Sequence, residues 1–131
     1  MNIVARVAAR WLAGSNLSFK PAPGGHLIGY KVMNYDTTTH QVVSGANSTI
    51  RMPLRIGMVH RMPGAGIFLG NDPKYVLDNY AVHDVNALIT YSFDPADLKY
   101  GNLTDREAEI GVSEAKVVHF DLYDADLDRI G

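Results

Sequence analysis

The chain has 131 residues, 47% of them hydrophobic and 20% charged, with a net charge of −2, a balance that excludes disorder and fits one domain with a real core. No apolar run approaches the ~20 residues that span a bilayer and no signal-peptide pattern is present, so a cytoplasmic protein without membrane association is expected. The near-neutral charge argues against bulk nucleic-acid binding, and the absence of cysteine removes disulfides, thiol catalysis and Cys-ligated zinc together.

Along the chain, Val4, Val7, Ala8, Trp11 and Leu12 recur at helical spacing, which predicts an amphipathic helix over residues 1–14, ended by Gly14. Its apolar face suits packing on the protein's own core, or docking on a partner or a second copy. Residues 20–25 (KPAPGG) read as a Pro/Gly connector without regular structure. His26–Asn34 is rich in β-formers and predicts a strand, Asp36–Thr39 a polar turn, and Gln41–Val43 the returning strand. Residues 50–62, interrupted by Pro53, read as short strand or loop pieces.

Ile67-Phe68-Leu69 predicts a short buried strand, and Gly70-Asn71-Asp72-Pro73 a helix start, with Asp72 capping free N–H groups and Pro73 at the first helical position. Tyr75, Val76, Asn79 and Tyr80 are expected to share a face of that helix. Ala87–Phe93 is the strongest strand, closed by Asp94-Pro95. Residues 97–107 read as a polar loop, Ile110–Tyr123 as a final strand region, and residues 124–131 as an acidic tail. Two helices and five or six short strands predict one α+β domain with a core over residues 26–123. Connections this short favour a mostly antiparallel sheet, since parallel crossovers need a dozen or more residues.

Several common chemistries are missing. The five histidines show neither His-x-His nor His-Glu-x-x-His spacing, so no metal is expected. Asp124-x-Asp126-x-Asp128 lacks the central Gly and closing Glu of a calcium loop. There is no Gly-x-Ser-x-Gly, and Gly64-x-Gly66-x-x-x-Gly70 lacks the Lys-Ser/Thr of a phosphate loop.

One constellation carries more. The run Gly66-Ile67-Phe68-Leu69-Gly70-Asn71-Asp72-Pro73, continuing to Asn79-Tyr80, resembles the strand–helix core of ADP-ribosyltransferases, where a Gly-Ile-Tyr-Phe type strand leads into a helix ending near Asn-Tyr. Ala108-Glu109-Ile110-Gly111-Val112 sits where that family places its catalytic glutamate, and Glu107 with Glu109 forms a Glu-x-Glu pair. The resemblance implies an ADP-ribosyltransferase-like fold that takes NAD as substrate. Tyr30, Lys31, Phe68, Tyr75 and Tyr80 would bind it, with the nicotinamide stacked on the aromatics. Glu109, paired with Glu107, would bond the ribose and stabilise oxocarbenium-like charge as nicotinamide leaves. The chain departs from the pattern at Gly29-Tyr30-Lys31, where the family has His or Arg in place of Lys31, and at Phe68, which replaces a tyrosine. There is no clear Ser-Thr-Ser motif.

The Val7-Ala8-Ala9-Arg10-Trp11-Leu12 opening and the Phe93–Asp97 and Gly101–Glu107 stretches also resemble small bacteriophage accessory proteins. That resemblance implies the cytoplasm of a bacterial host and a host macromolecule as target. The reading from another class is a non-catalytic protein: a binder of a host defence protein or nucleotide-like ligand, or a structural subunit, with oligomerisation through residues 1–14. Lys31 favours this alternative, because lysine lacks the planar fork of arginine.

Overall fold

The structure is a computed structural model that describes residues 19–43, 50–64, 66–103 and 108–131. The expected N-terminal helix and Glu107 lie outside the described residues. The described chain is built of β1 (Lys20–Pro21), β2 (Leu27–Asp36), β3 (Gln41–Val43), β4 (Arg51–Pro53), β5 (Val59–Arg61) and β6 (Ile67–Gly70). It continues with α1 (Pro73–Tyr80), β7 (Val85–Phe93), β8 (Leu98–Leu103), β9 (Ala108–Val112) and β10 (Glu114–Asp124). All registered pairs are antiparallel, in the order β5-β10-β7-β2-β6-β9-β8, with β1 on β2 and the β3–β4 pair branching from β2. This is an α+β domain, as expected, with more strands than sequence alone suggested. No described helix is long and apolar enough to cross a membrane.

Alternation along the strands separates two faces. On one, Met33, Ile67, Leu69, Ile89, Tyr91, Phe93, Ile110, Val112 and Val117 form a single buried cluster. Residues from β10 and from β8 and β9 share that cluster, so the sheet curls until its two ends meet around one core. The curl uses the break at Ser113: β9 and β10 are almost one strand, yet β9 pairs with β6 and β8 while β10 pairs with β7 and β5. On the other face α1 lies over Val32 and Leu88 through Val76, with Leu77, Ala81 and Tyr123 alongside.

Local chemistry explains most boundaries. Asp36 Oδ1 accepts from the N–H groups of Thr38 and Thr39 and shapes the β2–β3 turn. Asp72 Oδ1 accepts from Lys74 and Tyr75 N–H with Pro73 behind it, the helix start that was expected. Gly66 has φ +87°, and a Cβ there would sit 2.1 Å from the Val112 carbonyl oxygen; only glycine lets β6 enter beside β9.

Two expectations are corrected, and the tail acquires contacts. Residues 97–107 are not one loop: Leu98–Leu103 is an edge strand on β9, held through Leu98 in the core and a bulge between Leu98 and Tyr100, features that its polar composition concealed. The connector at 20–25 contains ordered pieces, with Lys20–Pro21 paired to β2 and a 3₁₀ turn at Pro23–Gly25. The acidic tail folds back on β10: Ile130 N–H donates to the Leu122 carbonyl, Leu122 N–H to that of Gly131, and Arg129 pairs with Asp121 at 2.8 Å.

Candidate functional site

β2 has a full partner, β7, on one flank only. Among the described residues its other flank meets β1 at Leu27 and Ile28, β6 at Tyr30 alone, and β3 from Asn34 onward. Between Tyr30 and Asn34 the sheet is therefore forked. A cavity of about 320 Å³ lies at this fork, beside the C-terminal end of α1. Tyr30, Lys31, Phe68, Gly70, Tyr80 and Glu109 line it, together with Val32, Val76, Val82 and His83.

Its floor is a row of side chains set by register. Tyr30 pairs with Gly70, and Gly70 with Glu109, so the three share one face across β2, β6 and β9. Strand spacing puts the Cα atoms of Tyr30 and Glu109 roughly 9–10 Å apart. With no side chain at Gly70 between them, that gap is open. The next row repeats the device, with Phe68 opposite Gly111 and Gly111 opposite Tyr100. The Phe68 and Tyr100 rings meet edge-to-face across the glycine, 5.6 Å between centroids, a contact of about 0.5–1.5 kcal/mol beyond area burial. Phe68 was expected in a buried strand; it is 39% exposed, because it points to the cavity side while Ile67 and Leu69 take the core.

The wall comes from α1. Val76 and Tyr80 are one turn apart and reach the cavity together, followed by Val82 and His83. Tyr75 does not line it: five residues from Tyr80, it is turned ~140° around the helix axis. The expected shared face thus divides, Val76 and Tyr80 going to the site and Tyr75 away from it.

Three groups able to carry charge border the cavity. Lys31 is half-buried; desolvation pushes its ammonium below the usual lysine range, and the Glu109 carboxylate partly offsets this. Among the described residues the Lys31 ammonium, the Glu109 carboxylate and the His83 ring have no hydrogen-bond or ion-pair partner; His83 bonds to Asn86 only through its backbone. Half-buried polar groups without partners, gathered at one concavity, are the arrangement expected of a small-molecule site. No cluster of metal-ligating side chains occurs among the described residues.

The structure therefore gathers Tyr30, Lys31, Phe68, Tyr80 and Glu109 at one place, leaves Tyr75 outside, and adds Val82, His83 and Gly70. Nothing local in the sequence marks these last three: they enter through the end of α1 and the register of β6. No protein-family model, no characterised protein and no solved structure matches this chain.

Proposed function

We propose that the cavity receives the nicotinamide–ribose end of NAD and that the chain is an ADP-ribosyltransferase-like protein of phage type, acting on a host macromolecule. The observation that carries this reading is the convergence of Tyr30, Lys31, Phe68, Tyr80 and Glu109, far apart in sequence, on one cavity. The volume supports it in part. About 320 Å³ is at the small end of ligand sites, enough for a flat ring and a sugar and not for a whole dinucleotide, whose adenosine half would lie along the surface.

The chemistry of the lining is consistent with such a ligand. The nicotinamide ring of NAD is flat and positively charged, and aromatic faces with a nearby carboxylate favour a flat cation. Lys31, whose positive charge is already disfavoured by desolvation, can donate to a ribose hydroxyl or phosphate oxygen. Glu109 accepts from the ribose hydroxyl and stabilises the positive charge that develops on the sugar as the glycosidic bond to nicotinamide breaks.

A non-catalytic binding protein is the second reading, and the exposed part of the lining favours it: Phe68, Tyr80 and Val82 are 39–79% exposed. Nicotinamide release separates the two. Incubated with NAD, the wild-type chain should liberate nicotinamide, measured by chromatography, and Glu109→Gln should lose this while keeping its thermal midpoint. Equal release by wild type and variant would remove Glu109 from the mechanism.

A further inference from the structure

We propose that Lys31 is a nucleophilic amine that forms an imine with an aldehyde carried on a flat-ring ligand bound in the cavity. This goes beyond the NAD reading and does not depend on it. Of the five lysines, Lys20, Lys74, Lys99 and Lys116 are exposed, while Lys31 is half-buried and borders the cavity. Among the described residues its ammonium has no hydrogen bond or ion pair.

Reactivity follows from the surroundings. Only the free amine attacks a carbonyl, and desolvation at Lys31 favours the free amine. Each pKa unit of lowering multiplies the free-amine fraction at neutral pH about tenfold. Glu109 and His83 border the same cavity and can move the protons.

The Lys31 Nζ lone pair forms the C–N bond as the carbonyl π bond breaks, and the oxygen takes a proton to give a carbinolamine. The nitrogen gives up its two protons, one balancing that taken by the oxygen and one carried off with the hydroxyl as water, and its lone pair closes the C=N bond as the C–O bond breaks. No oxidant or reductant is required. Tyr30, Phe68 and Tyr80 supply aromatic surface for the flat ring that presents the aldehyde.

The test uses the full chain and two probes at neutral pH: pyridoxal 5′-phosphate, an aldehyde on a flat ring, and glycolaldehyde, an aldehyde without one. Borohydride reduction fixes any imine, and peptide mapping by mass spectrometry locates it. With the pyridoxal probe, Lys31 should be labelled severalfold faster than each of the four exposed lysines. Glycolaldehyde should show a smaller preference for Lys31. Labelling of Lys31 no faster than the exposed lysines overturns the proposal, and equal preference with both probes overturns its assignment to a flat-ring aldehyde. NAD takes no part in this assay, so its failure and that of the NAD reading are distinguishable.

Discussion

Removing a single oxygen from the core should measure how this sheet holds its curl. His60 on β5 and Tyr91 on β7 lie on opposite sides of β10; their side chains are 2% and 0% exposed, and they meet at 2.6 Å between His60 Nδ1 and the Tyr91 hydroxyl. His60 Nε2 lies 2.7 Å from the Pro53 carbonyl oxygen, which can only accept, so Nε2 carries the proton and Nδ1 accepts from Tyr91. Tyr91→Phe keeps the ring, its burial and its 5.6 Å edge contact with His60, and removes only the donor. Leaving Nδ1 unsatisfied in the core costs about 1–3 kcal/mol. Near 2.1 cal/mol/K of unfolding entropy per residue, that lowers the Tm of a chain this size by roughly 4–11 °C. His60→Leu should be worse, because the Pro53 carbonyl is orphaned as well, and the double variant should cost less than the sum of the singles.

The same pair sets a pH dependence. Burial holds His60 below the usual histidine range. Below about pH 6.5 the unfolded chain takes up a proton that the folded chain refuses, so stability is full above 6.5 and falls as pH drops toward the folded value. His60→Leu lacks this slope, and the difference between the two pH profiles from 7.5 to 5 isolates it. A Tyr91→Phe midpoint within error of wild type, or identical slopes in the two profiles, would refute the network as described.

Gly66→Ala should prevent native pairing of β6 with β9, since the new Cβ meets the Val112 carbonyl and φ is positive; a loss above ~3 kcal/mol in urea unfolding is expected, and a wild-type midpoint would contradict the placement of β6. Asp72→Ala removes the acceptor for Lys74 and Tyr75 N–H and should cost about 1 kcal/mol, read in the same assay, and Asp72→Ser should recover most of it.

Much of the fold is legible where a local signal and the tertiary context agree. The Asp72-Pro73 start, the Gln41–Val43 return strand and the apolar run at Ala87–Phe93 all lie where residue type and spacing place them. The failures share a cause. Tyr100 and Lys99 look like loop residues because both are exposed on an edge strand, and among the described β8 side chains only Leu98 betrays the core contact. The break between β9 and β10 at Ser113 is invisible because both halves are β-rich; what separates them is the change of partner as the sheet curls.

The candidate site divides in the same way. Its aromatic and charged members stand out as residue types. The rows Tyr30–Gly70–Glu109 and Phe68–Gly111–Tyr100 that floor it are properties of strand register; three of the four pairings join residues 39, 40 or 43 apart, which no local pattern encodes, and only Gly111–Tyr100 is closer in sequence. His83 is one of five scattered histidines until α1 delivers it to the cavity wall.

Binding at this cavity is the claim on which the functional account rests, and a thermal-shift titration of the purified chain with NAD, ADP-ribose and nicotinamide tests it most directly. Ligand at about 100 times its dissociation constant adds ~2.7 kcal/mol, near 10 °C for a chain of this length. The account predicts that NAD and nicotinamide raise the midpoint and that the Gly70→Leu variant, which fills the floor between Tyr30 and Glu109, abolishes both shifts while remaining folded by circular dichroism. No shift with any of the three, or shifts unaltered in folded Gly70→Leu protein, would contradict it.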